Sequence, residues 1–317
     1  MCTDNKRETG KQQNQLYEKT EMNKQDIKMM IYRFAIDISD ISLQSGKGIA
    51  ESEINSLPAS EKLSYLSPLF ITGFLSGDLE DIREQDGHEC FLEYMKKNGW
   101  TFGPKNIELK THPDMVPWKK LPRATRNKYK LLKATLIGAS GVYDSLKDIF
   151  KKLSGQGSFA KIMNQYDQNC KIDYILYALS LSEAWVKLGK GIMSFNHEID
   201  QYELRDMLLS KSAYFIKACF TGREDTLSNQ EAHEKFLDFI KDAGWTYGPE
   251  NFGDRTYPTI VPWEELSRED RDRYNLIKTV VCMSCDLYDY IKMGFVNSSD
   301  EAVFAQFDGS MPSSSYH

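Results

Sequence analysis

The sequence predicts an all-α protein with a few short strands, built as a tandem, pseudo-two-fold duplication of one helical module. The segment NGWTFGP at 98–104 recurs as AGWTYGP at 243–249, an offset of 245 − 100 = 145 residues. Apolar residues upstream of both segments are spaced by three and four, as on one face of a helix. The recurring segment is dense in Gly, Pro and Trp and too irregular for a sheet. Together these observations favour paired helical repeats.

The offset of 145 residues holds along the whole module without a gap. Identical residues then pair as His88 with His233, Glu89 with Glu234, Phe91 with Phe236, Trp118 with Trp263, Arg126 with Arg271, Tyr129 with Tyr274, and Tyr143 with Tyr288. We name 26–147 the N-terminal module and 172–292 the C-terminal module. The sequence predicts a disordered segment over 1–25, a connection over 148–171 and a tail over 293–317.

Four helices are predicted in each module. The predicted ranges are 26–45 and 171–190, 60–75 and 203–220, 85–99 and 228–244, and a fourth helix that in the C-terminal module runs from Ser267 to about Tyr290. Ser228 with Glu231, and Ser267 with Asp270, have the spacing of capping boxes. We expect Gly103 and Gly248 to adopt positive φ in a turn before proline.

Composition and charge narrow the classes of function. The 317 residues are 41% hydrophobic and 27% charged, and the formal net charge is −6. An acidic surface gives no electrostatic reason to bind nucleic acid. No apolar run approaches 18 residues, so no membrane association is predicted. The polar first 15 residues lack the apolar core of a signal peptide, and we therefore expect a cytoplasmic location.

The six cysteines follow no disulfide framework. Cys282 and Cys285 form a C-x-x-C inside an apolar helical run, which favours core packing over a redox or metal role. A structural zinc site would need a second pair of ligands at matching spacing. No metal and no cofactor are predicted.

Several motifs occur in the same order in both modules: His-Glu-x-Phe, Gly-Trp-Thr-[Phe/Tyr]-Gly-Pro, Val-Pro-Trp-x-x-Leu and Arg-x-x-Tyr. The segments 88–146 and 233–291 that contain them resemble the ryanodine receptor repeat. The resemblance implies paired repeats of helices with short strands and, for free-standing members, a ligand of the adenine-nucleotide or ADP-ribose type. The sequence has Phe91 and Phe236 where receptor repeats usually have Trp, and Met95 and Ile240 where they often have a cation.

Ten residues are candidates for ligand binding. They are His88, Phe91, Trp100, Arg126 and Tyr129, with their counterparts His233, Phe236, Trp245, Arg271 and Tyr274.

Each candidate has a structural alternative. The tryptophans are either core residues or stacking platforms for a ligand. The two histidines either satisfy backbone groups near a helix start or contact a ligand. Arg126, Tyr129 and Lys133 share a helical face, which is either an anion-contacting surface or a solvated one.

No catalytic motif is present, so the protein is not predicted to be an enzyme. The metalloprotease motif H-E-x-x-H fails because Leu92 and Leu237 occupy the second histidine position. The favoured function is binding of a small anionic or nucleotide-type ligand in a cleft between the modules, near Phe91 and Phe236.

Two alternative functions stay open. One is a protein–protein interaction scaffold that uses Tyr257, Phe252 and Tyr290. The other is a nucleotide hydrolase that depends on His88 or His233.

Overall fold

The computed structural model describes residues 24–49, 53, 56–57, 62–154, 160–192, 201–222 and 228–297. Within these residues the chain is mainly helical, which confirms the predicted fold class. The helices are α1 (Lys24–Gly46), α2 (Pro68–Ser76), α3 (Glu84–Lys97), α4 (Arg123–Ser154), α5 (Ala160–Gly189), α6 (Gln201–Thr221), α7 (Asn229–Asp242) and α8 (Arg268–Asn297). Short strands of two residues each also form. Strand β1 (Thr101–Phe102) pairs in parallel with β2 (Thr111–His112), and β3 (Thr246–Tyr247) pairs in parallel with β4 (Thr256–Tyr257).

The order of elements from α3 to α4 recurs from α7 to α8 at the offset seen in the sequence. The starts of α3 and α7 differ by 229 − 84 = 145 residues, and those of α4 and α8 by 268 − 123 = 145. The repeated element order agrees with the repeated sequence. The gene duplication that would explain both stays a prediction.

Capping residues define the ends of the third helix of each module. The Ser228 hydroxyl accepts a hydrogen bond from the Glu231 amide at the start of α7, as the capping box predicts. Gly99 and Gly244 end α3 and α7 with φ of 81°, a conformation that costs glycine least. The prediction for Gly103 and Gly248 is wrong, because neither has positive φ. Each instead lies against a threonine of the paired strand, Gly103 so closely that an added Cβ would lie 3.1 Å from the Thr111 Cβ.

The helices extend further between the modules than predicted. Helix α4 runs to Ser154 and α5 begins at Ala160, so 148–154 and 160–171 of the predicted connection over 148–171 are helical. Burial explains the extension of α4, because Phe150 is in the core and its ring lies 5.9 Å from that of Tyr288. The second helix of the N-terminal module is shorter than predicted: α2 starts at Pro68, a favoured first helical residue.

The predicted terminal segments fall mostly outside the described residues. Residues 24–25 belong to α1 and 293–297 to α8 rather than to disordered segments. The remainder, 1–23 and 298–317, lies outside the part of the chain that the structure describes.

One hydrophobic core joins the two modules. It contains Ile31 and Ile38 of α1, Leu136 of α4, Ile175 of α5 and Val281 of α8. Helix α1 packs along α5 and α4 contacts α8, while α1 also contacts α8 and α4 contacts α5. Because α1 corresponds to α5 and α4 to α8, each of these contacts is matched by a contact between the corresponding helices. The modules therefore share a core, although the chain is long enough for two separate ones.

Two glycines allow α1 and α5 to approach closely at their C-terminal ends. A Cβ added at Gly46 would lie 2.4 Å from the Val186 carbonyl oxygen, and one at Gly189 would lie 2.4 Å from the Leu43 carbonyl oxygen. These obstacles are backbone atoms, which cannot rotate away. The crossing therefore requires glycine at both positions.

We expect Gly46→Ala to lower the free energy of unfolding by about 1–3 kcal/mol, because the two helices must separate to accommodate the methyl group. Gly141→Ala is the matched control: nothing lies within 4 Å of its added Cβ, and alanine in a helix interior stabilises by about 0.5–1 kcal/mol. Urea denaturation measures both changes. Equal effects of the two substitutions would contradict the close crossing.

Candidate functional site

A buried histidine joins α3, α4 and the loop between them. The His88 Nε2 lies 2.7 Å from the Val116 carbonyl oxygen and its Nδ1 lies 3.0 Å from the Tyr129 hydroxyl. Because a carbonyl can only accept, Nε2 carries the proton, and the Tyr129 hydroxyl then donates to Nδ1 of the neutral ring. Burial lowers the pKa of His88 below its usual 6.5, which agrees with the neutral form.

The same arrangement recurs in the C-terminal module. His233 Nε2 donates to the Val261 carbonyl oxygen at 2.7 Å, and Nδ1 accepts from the Tyr274 hydroxyl at 2.7 Å. Burial also lowers the pKa of His233. Both ring nitrogens of each histidine thus have partners within the protein. Each histidine satisfies a backbone carbonyl, which is its structural alternative, and a ligand contact by either ring stays a prediction.

The two predicted aromatic ligand contacts lie in separate interior clusters. Phe91 packs with Met95, Met115 and the half-buried Trp100. In the other module, the corresponding cluster contains Met207, Phe236, Leu237, Ile240 and Ile260, with Trp245 at its edge. Phe91 and Phe236 therefore do not line a shared cleft, contrary to the prediction. Their apolar neighbours, rather than a ligand, cover their rings.

The predicted anion-contacting face is also not formed as expected. Tyr129 and Tyr274 point into the interior, whereas Arg126 is half-buried and Arg271 is exposed. Lys133 donates to the Glu80 carbonyl oxygen at 2.8 Å. Helical spacing places these residues on neighbouring positions, but the tyrosine of each set turns inward to reach its histidine.

A cavity of about 230 Å³ lies within the C-terminal module, between α5, α6, the segment after β4, and α8. Of the ten predicted residues, only Tyr274 lines it. Its polar lining includes Lys187, Lys211, Tyr257, Thr259, Asp270 and Arg273. A concave site with a few converging polar groups is the usual form of a small-molecule site.

Lys211 presents a cation at the wall of this cavity. Its Nζ donates to the Tyr257 hydroxyl at 3.2 Å and lies 4.3 Å from the centre of the Tyr257 ring and 5.4 Å from that of Phe236. Aromatic faces stabilise an ammonium group and restrict its position. Within the described part of the chain, no carboxylate forms an ion pair with Lys211.

The other cations of the cavity are already paired. Arg273 forms an ion pair with Glu183, and the Lys187 Nζ lies 3.8 Å from the same carboxylate. Glu183 offsets one of these two positive charges and holds both side chains beside it, whereas Lys211 has no carboxylate partner among the described residues and is therefore the cation best placed to attract an anion.

Thr259 supplies a hydroxyl that lacks a protein partner. Its side chain is 7% exposed, and its Oγ1 makes no hydrogen bond with any described residue. A buried hydroxyl left unpaired costs about 1–3 kcal/mol. Such a group in the wall of a cavity marks a place where a ligand can supply the missing hydrogen bond.

The N-terminal module pairs the groups that correspond to Thr259 and Asp270. There the residue types are exchanged, and Asp114 accepts a hydrogen bond from Thr125 at 3.4 Å. In the C-terminal module Asp270 accepts from the Ser267 hydroxyl at 2.6 Å, at a position where the N-terminal module has a proline. The Thr259 hydroxyl makes no bond of this kind.

A second cavity, of about 780 Å³, does lie between the modules, where the ends of α1 and α5 meet the start of α8. None of the ten predicted residues lines it. Two of its cations have carboxylate partners: Lys190 pairs with Glu269, and the Arg268 Nε lies 3.8 Å from Asp272. The Lys47 Nζ, in the same lining, donates to the Gln44 Oε1 at 3.1 Å.

Lys211 and Thr259 are not among the predicted site residues, because the residue types at these two positions differ between the modules. At the offset of 145 residues, Lys211 corresponds to Leu66 and Thr259 to Asp114. A charged residue opposite a leucine in an otherwise matching pattern is the signal that would have identified this site.

The described residues contain neither a cluster of metal-binding side chains nor a membrane-spanning helix. Among the described residues, no group of three or more His, Cys, Asp and Glu side chains could hold a metal ion. Within the same residues, no helix is long and apolar enough to cross a membrane.

Comparisons of the chain with protein-family models, with curated proteins and with solved structures found no match. The resemblance to the ryanodine receptor repeat therefore stays a prediction from the motifs.

We expect the protein to lose stability as the pH falls below about 6.5. Near that pH the histidines of the unfolded chain take up protons, whereas His88 and His233 in the folded protein resist protonation until lower pH. The unfolded state then binds more protons, so the free energy of unfolding falls, by at most about 1.4 kcal/mol per pH unit for each histidine. Melting temperatures between pH 8 and pH 5 measure this loss.

The double variant His88→Gln/His233→Gln is the control for that dependence. Burial raises the pKa of Asp37 and Asp40, which favours the folded state on acidification, but these carboxyls are common to both proteins. The difference in slope therefore isolates the histidines. An equal slope in wild type and variant would refute their role.

Proposed function

We propose that the protein binds a small organic anion in the cavity of the C-terminal module, without converting it chemically. One observation carries the proposal: Thr259, whose buried hydroxyl is unpaired, lines the same cavity as Lys211. An oxygen of a carboxylate or phosphate accepts hydrogen bonds from both kinds of donor. Charge-assisted bonds of this type are the stronger ones.

A nucleotide-type ligand is the specific form of this proposal that the motif resemblance favours. The rings of Tyr257 and Phe252 line the cavity together with Lys211. Aromatic faces beside a cation suit a ligand that has both a planar group and a phosphate. The proposed site differs from the expected one, because it lies within one module rather than between two.

Binding without turnover is part of the proposal. A general acid or base needs a nitrogen or oxygen that can exchange a proton with the substrate. In both recurring histidines, each ring nitrogen is held by a protein partner. We place this binding activity in the cytoplasm, as the sequence predicts.

Thermal-shift and calorimetric titrations with AMP, ADP-ribose, inorganic phosphate and small dicarboxylates test the proposal. A ligand at one hundred times its Kd adds about 2.7 kcal/mol to the free energy of unfolding. We expect Lys211→Met to weaken binding at least about tenfold, a loss of about 1.4 kcal/mol. The matched control is Lys217→Met, an exposed lysine on the same helix.

Thr259→Val gives the proposal a second signature. The substitution removes an unpaired hydroxyl with little change in shape, so the unliganded protein should become more stable while ligand affinity falls. Failure of every anion in the panel would contradict the proposal. So would equal loss of binding in Lys211→Met and Lys217→Met, because binding would then depend only on net charge.

A protein-interaction function is the second candidate, and an apolar groove favours it. The groove, of about 880 Å³, lies between α6 and α7 and includes Trp245, Leu209 and Phe239. Phe239 is 58% exposed. A clustered apolar surface is typical of contact with an apolar segment of another chain.

Peptide selection on the immobilised protein tests this second candidate. We expect selected peptides to contain apolar anchors and to lose binding to Phe239→Asp. Phe102→Asp is the matched control, since Phe102 is 66% exposed but lies outside the groove. Peptides that bind both variants equally, or no enrichment, would count against the groove.

A further inference from the structure

Two cysteines that are far apart in sequence meet between α6 and α8. The Cys219 Sγ lies 3.9 Å from the Cys282 Sγ. Both side chains are half-buried, so a small reagent can reach them. The contact is separate from the cavity, whose lining includes neither cysteine.

This thiol pair belongs to the C-terminal module alone. At the offset of 145 residues, Cys219 corresponds to Phe74 and Cys282 to Ile137. The corresponding positions of the N-terminal module therefore hold two apolar side chains of the hydrophobic core, which have no redox chemistry.

The structure also changes the interpretation of the C-x-x-C sequence. Cys285 is buried, with 4% exposure, and fits the predicted core role. Cys282 is less buried, and its sulfur partner in space is Cys219 on another helix. The relevant pair is therefore not the one that sequence spacing indicates.

We propose that Cys219 and Cys282 form an intrachain disulfide on exposure to a low-molecular-weight disulfide, and thereby link α6 to α8. A disulfide bond needs the sulfurs about 2.05 Å apart, so they must approach by about 1.9 Å. Rotation about the Cα–Cβ bonds moves each sulfur by that order without breaking either helix. Two thiols in non-bonded contact are the reduced form of such a disulfide.

The reaction proceeds by two thiol–disulfide exchanges. One protein thiolate attacks a sulfur of the small disulfide RSSR, which forms a mixed disulfide and releases one RS⁻. The second protein thiolate then attacks the protein sulfur of the mixed disulfide and releases the second RS⁻. The two cysteines lose two protons and two electrons, and RSSR is reduced to two RSH.

Joining residues 219 and 282 closes a loop through the cavity-forming segment of the module. Cross-linking reduces the freedom of the unfolded chain, and a longer loop loses more. The oxidised protein should therefore melt several degrees higher than the reduced protein. Dithiothreitol should reverse the shift.

The test treats the full-length protein with oxidised glutathione, blocks residual thiols with N-ethylmaleimide, and maps disulfides by mass spectrometry of unreduced peptides. We expect a peptide that joins Cys219 to Cys282, with the loss of two alkylation sites. Cys219→Ser should abolish both the peptide and the rise in melting temperature. Cys90→Ser is the control, because Cys90 is another half-buried cysteine outside this contact.

Three outcomes would overturn the proposal: only glutathione adducts, only links between molecules, or a link from Cys282 to Cys285. Mapping of the wild-type protein decides among them even if Cys219→Ser folds poorly. None of these outcomes depends on the anion-binding proposal.

Discussion

The histidine–tyrosine–carbonyl contact is the constraint on which each module depends. It fixes α3, α4 and the intervening loop at one point around His88, and α7, α8 and their loop around His233. Trp118 and Trp263 pack beside these rings, with centroids 5.9 and 5.8 Å away. A neutral imidazole suits this place because it both donates and accepts in the interior. A protonated ring would leave the tyrosine without an acceptor.

Because the modules share this framework, their chemical differences lie around it. The neighbouring carboxylate accepts from Thr125 in the module that has a proline and from Ser267 in the other. One threonine hydroxyl is therefore paired, that of Thr125, and the other, that of Thr259, is unpaired. These differences require no alteration of the backbone fold.

Structural features common to both modules could be predicted from the sequence, whereas the features that differ between the modules could not. Helix type and the ends of α3 and α7 followed from local rules, since Gly99 and Gly244 follow the last periodic apolar residues and adopt positive φ there. The length of α4 did not, because the burial of Phe150 depends on α8, far along the chain. Phe91 and Phe236 occur at equivalent positions of both modules. An apolar residue shared in this way fits a ligand-binding cleft and a hydrophobic core equally well, so the sequence could not distinguish the two. Recurrence could not identify Lys211, which has no counterpart.

Electrostatics explain why one position in the C-terminal module stands out as a site. Glu183 neutralises Arg273 and approaches Lys187, whereas Lys211 is held by two aromatic rings and a hydroxyl. Aromatic faces stabilise an ammonium group without cancelling its charge. The result is a positioned cation in a cavity that is also lined by a threonine with an unpaired hydroxyl, and an unpaired buried hydroxyl lowers the stability of the empty protein. Such groups persist where a bound ligand offsets their cost, which is the physical reason to look for the ligand at Lys211 rather than between the modules.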